Sequence, residues 1–110
     1  MSVTTELQPH IIRTNQDDYP VQATSPVPGL WIYKIPDMVE PLTGFRWRLG
    51  HHTGTAIACA LYEADVKRAA ETIADLADWT KSPEELRAEV DADELYLLVG
   101  RDGCEQPRYV

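Results

Sequence analysis

In this chain of 110 residues, His51 and His52 are adjacent. Imidazole is a common metal ligand, so this pair is the first candidate for a metal site. A zinc site needs three or four ligands, and the third histidine, His10, lies near the N-terminus. Side chains of neighbouring strand residues point in diverging directions, and no further ligand follows at a recognisable spacing. We therefore predict no metal site and interpret both histidines as polar hairpin residues.

The nucleophilic residues do not form a recognisable catalytic set. Cys59 and Cys104 are far apart in the chain and show no CxxC spacing, so we expect reduced thiols rather than a disulfide. Ser82 precedes a helix and has a capping role, and no GxSxG elbow is present. Paired carboxylates such as Asp75 and Asp78 lie on the predicted polar side of a helix. The sequence thus predicts no catalytic residue, no cofactor and a protein that is not an enzyme.

The elements that position these residues begin with a strand at 30–35 (LWIYKI) and a hairpin at 45–61 (FRWRLGHHTGTAIACAL). A three-residue loop of His52, Thr53 and Gly54 places Gly54 in the left-handed conformation that such loops require. This loop also aligns the bulky apolar residues of the two strands on one face. The predicted pairs are Phe45 with Leu61, Trp47 with Cys59, and Leu49 with Ile57.

Helical patterns occupy the second half of the chain. Residues 62–80 have the apolar spacing of an amphipathic helix, which we expect to cover the apolar face of the hairpin. Ser82, Pro83 and Glu85 mark the start of a second helix with a capping box. Residues 94–99 favour a continuation of helix, with an edge strand as the alternative.

The predicted fold is α+β, a three-stranded antiparallel meander packed against two helices in the order β-β-β-α-α. Residues 1–28 contain four prolines and no sustained periodicity, which predicts a flexible N-terminal arm. Residues 29–100 are then a single domain, and residues 101–110 a frayed tail.

The net charge of −8 restricts the classes of partner. Residues 1–62 carry four basic and five acidic side chains, whereas residues 63–110 carry six basic and thirteen acidic ones. Proteins that bind nucleic acid usually have a basic balance, which this chain lacks. No apolar run is long enough to cross a membrane and no secretory signal is recognisable, so we expect no membrane partner and a cytoplasmic location.

The face of the sheet away from the predicted helix is the candidate binding site. Trp31 and Tyr33 are expected there beside Arg46 and Arg48, and alanines opposite the arginines leave that strip flat. The N-terminal arm, the second helix, a protein partner or another copy of the chain are alternative covers for this face. Aromatic rings interleaved with guanidinium groups are also the chemistry of base stacking and phosphate pairing.

These observations predict a small accessory or regulatory protein that binds another protein, or itself as a homodimer, through the outer sheet face. The alternatives are a nucleic-acid-binding domain that uses the same face, and an acidic nucleic-acid mimic whose carboxylate-rich helices inhibit an enzyme.

Two segments resemble proteins of a recognisable origin. GFRWRLGHHTGTAIACALYEADVKRAAETIADLADWT, together with LRAEVDADELY, is similar to small uncharacterised proteins of actinobacteria and of their phages or mobile elements. In those proteins a W-R-L-G-H-H-(S/T)-G hairpin leads into an alanine-rich helix that ends in D-W-T. The resemblance covers about residues 30–98 and implies a provenance, but no reaction and no functional residue.

Overall fold

The computed structural model describes residues 4–13, 18–35 and 45–105, which form a five-stranded antiparallel sheet and three helices. The strands are β1 (Thr4–Arg13), β2 (Asp18–Val27), β3 (Leu30–Lys34), β4 (Trp47–His51) and β5 (Ala56–Ala60), and the helices are α1 (Glu63–Ile73), α2 (Pro83–Glu89) and α3 (Ala92–Arg101). The spatial order β1-β2-β3-β4-β5 follows the chain. The α+β class is confirmed, but the predicted three-stranded meander with two helices is wrong.

The N-terminal segment is the main correction, because β1 and β2 lie where the sequence predicted a flexible arm. Prolines did not prevent these strands from forming. Pro9 pairs with Gln22, and Pro20 pairs with Ile11. A proline lacks an N–H group, so it is tolerated in a ladder only at positions that donate no hydrogen bond. Pro9 and Pro20 fit such positions, and the pairing is continuous from Gln8 to Arg13 but shifts register between Thr4 and Gln8.

The β4–β5 hairpin has the predicted loop. The His51 N–H donates to the Thr55 carbonyl at 2.8 Å, and the Gly54 N–H donates to the His51 carbonyl at 2.9 Å. Gly54 has a φ of +96°, which is the left-handed conformation expected for it. The three-residue loop of residues 52–54 is therefore confirmed.

The strand register beyond this loop is wrong, because the ladder contains a bulge at Ile57. Gly50 pairs with Ala56, but Leu49 pairs with Ala58, so Ile57 is an extra residue in β5. Arg48 consequently lies opposite Cys59. A sequence pattern of strict alternation cannot predict such a shift, which moves every later side chain to the opposite face.

The main core lies between the sheet and the helices. The bulge places Ala58 and Ala60, rather than Cys59 and Leu61, in the same buried cluster as the inner face of α1. Leu61 is instead 47% exposed. Small side chains on both surfaces allow a helix to approach a sheet closely. The α1 residues in this cluster are Val66, Ala69, Ala70 and Ile73.

The helix boundaries follow from their capping groups. Helix α1 ends at Ile73, earlier than its apolar spacing predicts, and the indole N–H of Trp79 donates to the Ile73 carbonyl at 2.8 Å. Ser82 caps α2 as predicted, because its hydroxyl oxygen accepts from the Glu85 N–H. Residues 94–99 are helical, not an edge strand, and Asp91 caps α3 at its start.

Candidate functional site

The four residues predicted to bind a partner do not form an open surface. Tyr33 is 2% exposed and Arg48 is 5% exposed, whereas Trp31 and Arg46 are half-buried. Tyr33 lies opposite Arg48 in the β3–β4 ladder, so these two side chains share the face of the sheet away from α1, as expected. Their predicted role in binding stays a prediction. The exposure expected of Tyr33 and Arg48 is not found, because other parts of the chain cover them.

The N-terminal hairpin supplies part of this cover. The His10 ring stacks on Trp31 with 5.0 Å between ring centroids and an angle of 11° between planes, and it lies 5.7 Å from the ring of Tyr33. Strands β1 and β3 are separated by β2, and two strand spacings amount to about 9.5 Å. The sheet is therefore curled, so that side chains of β1 and β3 meet above β2. The result is a second buried cluster, formed by Ile12, Val21, Ala23, Tyr33 and Ile35.

Polar atoms in this second cluster are packed tightly. Burial raises the pKa of Tyr33 to about 12, which keeps its hydroxyl protonated. A Cβ atom on Gly50 would lie 2.8 Å from Cε1 of Tyr33, so the tyrosine ring rests on the glycine backbone. The Nε2 atom of His10 and the Nε1 atom of Trp31 are buried without a hydrogen-bond partner among the residues that the structure describes. Burial, together with the nearby His52, lowers the pKa of His10.

The adjacent histidines connect the β4–β5 hairpin to the segment between α1 and α2. His51 Nε2 lies 2.8 Å from the Lys81 carbonyl, so Nε2 carries the proton and donates it. His51 Nδ1 then accepts from the Thr53 hydroxyl at 2.8 Å. His52 Nε2 donates to the Thr80 carbonyl at 2.9 Å. Both ring nitrogens of His51 are therefore hydrogen-bonded within the chain, and the ring connects the β4–β5 hairpin to Lys81.

The segment that accepts these hydrogen bonds also packs against the β2–β3 turn. Gly29 has a φ of +87°, and a Cβ atom there would lie 2.2 Å from the Trp79 carbonyl oxygen. The Trp79 side chain is 4% exposed. The GHHTG and DWT sequences are thus in contact with each other through the bond of His52 to Thr80.

A cavity of about 360 Å³ lies between β5 and the helices α2 and α3, and His51 is among its lining residues. Its size is suitable for a small ligand. His51 is one of its polar lining residues, and both ring nitrogens of His51 are hydrogen-bonded within the chain. The cavity is lined by His51, Thr55, Ala56, Ile57, Trp79, Pro83, Leu86, Arg87, Val90, Ala92, Leu95 and Tyr96.

The cysteines are placed as inert core residues. Both thiols are free and buried. Burial, assisted by the nearby carboxylates of Asp65 and Asp102, raises the pKa of Cys104 to about 12, so the reactive thiolate is disfavoured. Within residues 4–13, 18–35 and 45–105, no three side chains of the metal-binding types come together.

An accessible surface that sequence reasoning missed lies along β1, at one edge of the sheet. Leu7 is 66% exposed and Ile11 is 53% exposed. A groove of about 450 Å³ runs from Leu7 across β2 and β3 to the start of α1. It is lined by Leu7, Pro20, Val21, Gln22, Thr24, Ile32, Tyr33, Lys34, Trp47 and Glu63. The two-residue spacing of Leu7, Pro9 and Ile11 was the available signal, because alternate residues of a strand share a face.

Comparisons with protein-family models, with curated proteins and with solved structures found no match to this chain. The resemblance of residues 30–98 to small actinobacterial and phage proteins therefore stays a prediction. Among the helices of the described residues, none has both the length and the apolar character needed to cross a membrane.

Proposed function

We propose that this protein is a small non-enzymatic binding module whose partner is a protein, and that the partner adds a strand to the open edge of β1. The observation that carries the proposal is the edge itself. Strand β1 has ten residues and, among the strands of residues 4–13, 18–35 and 45–105, occupies the end of the sheet beside β2. An exposed edge strand presents unpaired N–H and C=O groups, and proteins use such edges to bind extended segments of a partner.

The side chains of β1 support the same function. Natural edge strands limit unwanted pairing by short length, charged side chains, bulges or prolines, and β1 contains one such residue, Pro9. Leu7 and Ile11 are exposed, so apolar area is available beside the backbone groups. Interfaces bury such residues at their centre. The groove that begins at Leu7 would receive side chains of the added strand.

The test is a charge substitution on the edge. In Leu7→Lys with Ile11→Lys, we expect loss of partner binding without loss of the fold, because both side chains are exposed. Leu97→Lys is the matched control, since Leu97 is 60% exposed on α3 and far from β1 in the chain. The measurements are the molar mass in solution and quantitative capture of proteins from the cells that produce the chain. Binding that survives the β1 substitutions, or that Leu97→Lys also abolishes, would contradict the proposal.

A further inference from the structure

We propose that the cavity between β5 and the helices α2 and α3 binds a small organic carboxylate, in which an alkyl or aryl group carries one carboxylate. The cavity shares no lining residue with strand β1, so this inference does not depend on the proposed function. Its support comes from the packing of α2, from the apolar walls of the cavity and from the charge of its lining.

Helix α2 leaves this volume open because it contributes little to the core. Leu86 is the one buried residue of α2, and its neighbours Glu85 and Arg87 are exposed. Protein interiors are normally close-packed, with few voids larger than a water molecule. The cavity of about 360 Å³ beside α2 has the volume of about twelve water molecules. This volume exceeds what ordinary packing leaves and lies within the range of ligand sites.

The walls of the cavity suit an apolar ligand. Ile57, Trp79, Leu86 and Leu95 line it, and each of them is at most 9% exposed. These side chains come from β5, from the segment before α2, from α2 and from α3, so they enclose the volume from several directions. An alkyl or aryl group in the cavity would be removed from water, which favours its binding.

The lining carries a single charge. Of the described residues that line the cavity, only Arg87 is charged at neutral pH, and none is an aspartate or a glutamate. Glu84 precedes Arg87 by three residues on α2, which is the spacing of a helical ion pair. Within residues 4–13, 18–35 and 45–105, however, Arg87 forms no ion pair with Glu84 or with any other carboxylate. A carboxylate ligand matches the guanidinium group of Arg87 in charge and in geometry.

Three acidic residues of α2 and of the α2–α3 junction have partners of their own. Glu89 pairs with Lys81 at 2.6 Å, Glu85 accepts from the hydroxyl of the α2 cap at 3.1 Å, and Asp91 caps α3. Their charges act on a ligand mainly through solvent, where salt screens them over about 10 Å at 0.1 M. A contact with Arg87 inside a partly enclosed cavity is screened less, so it outweighs this repulsion.

Two hydroxyl groups complete the polar part of the cavity. Thr55, just before β5, and Tyr96, on α3, both line it. Neither hydroxyl has a hydrogen-bond partner in the part of the chain that the structure describes. A hydroxyl donates readily to a carboxylate oxygen, so Thr55 and Tyr96 are additional donors for the ligand.

The test compares 4-phenylbutyrate with its amide, because the two probes share the apolar group and differ in charge. We expect NMR titration of the full chain to give a dissociation constant of about 1 mM or lower for the carboxylate, at least about tenfold below that of the amide. Arg87→Gln should raise the dissociation constant of the carboxylate at least about tenfold and leave that of the amide unchanged. Arg101→Gln is the matched control, since Arg101 is likewise an exposed arginine in the last turn of a helix but does not line the cavity.

A second measurement locates the probe without any variant. Nuclear Overhauser contacts should join the phenyl ring to the methyl groups of Ile57 and Leu86 in the unmodified chain. Contacts to methyl groups outside the cavity would overturn the inference, as would the absence of binding at about 10 mM carboxylate. Equal affinity for the carboxylate and the amide, or an equal loss in Arg87→Gln and Arg101→Gln, would also overturn it.

Discussion

At the scale of single residues, histidines perform structural tasks in this chain. His51 is 3% exposed, and its two ring nitrogens bind Lys81 and Thr53 with one donor and one acceptor. This pattern fits the neutral ring, because a protonated ring has two donors and no acceptor. Burial and the nearby His52 both lower the pKa of His51. His10, stacked on Trp31, also has a lowered pKa, mainly because it is buried.

These two lowered pKa values predict acid sensitivity of the fold. The folded chain keeps both rings neutral below the ordinary histidine value of 6.5, whereas the unfolded chain binds protons there. The contribution of these two histidines to the free energy of unfolding should therefore be complete above about pH 6.5. It should fall as the pH drops below that value. Urea unfolding at about pH 7.5 and about pH 5.5 measures this loss. The double variant His10→Phe with His51→Gln should lose less stability over the same interval, and an equal loss would refute this explanation.

At the scale of elements, the contact of the β2–β3 turn with the segment before α2 connects the sheet to the helices. The Gly29 backbone lies against the Trp79 carbonyl, and the Gly29 carbonyl accepts from the His52 N–H at 3.0 Å. This contact has no room for a side chain. Gly100, within α3, has no atom within 4 Å of an added Cβ. The two glycines therefore provide a matched pair.

The same substitution should have opposite effects at these positions. Gly29→Ala combines a steric clash with a positive φ, so we expect it to lower the free energy of unfolding by about 3 kcal/mol. Gly100→Ala should raise it by about 0.5–1 kcal/mol, because alanine restricts the unfolded chain and favours helix. Denaturant unfolding of both variants checks the expectation. An unchanged free energy of unfolding in Gly29→Ala would show that close packing of the turn against Trp79 does not stabilise the fold.

The elements that sequence reasoning predicted are those whose signals are local. The loop with Gly54, the cap at Ser82 and strand β3 each depend on a few neighbouring residues. Strand β1 was missed because its pattern is reversed, with polar His10 buried and apolar Ile11 exposed. That reversal depends on the curl of the sheet over Trp31, which no local pattern encodes. The bulge at Ile57 places Cys59 opposite Arg48 and puts Ala58 and Ala60 in the buried cluster that contains the inner face of α1, and strict alternation in the sequence does not predict it.

At the scale of the whole molecule, the face predicted to bind a partner is less accessible than expected, because the chain covers its own aromatic residues. The N-terminal hairpin buries Tyr33 and stacks on Trp31, and the same hairpin creates a new edge at β1. The N-terminal hairpin thus covers part of the outer face of the sheet and adds the exposed strand β1 at its edge. Our proposal of a protein-binding module therefore uses the backbone groups of β1 in place of exposed arginines.

The response to salt separates the binding modes. Strand pairing at the β1 edge depends on backbone hydrogen bonds and contains few charge contacts. We therefore expect the complex formed through β1 to stay within about threefold of its affinity when sodium chloride is raised tenfold, because salt screens charge contacts and not backbone bonds. Binding of nucleic acid through two phosphate contacts would weaken by about sixtyfold over the same range. Sedimentation of the full chain, alone and with a labelled oligonucleotide, at low and high salt distinguishes the two. A complex that dissociates steeply with salt would mean that ion pairs, and not the backbone of β1, hold the partner.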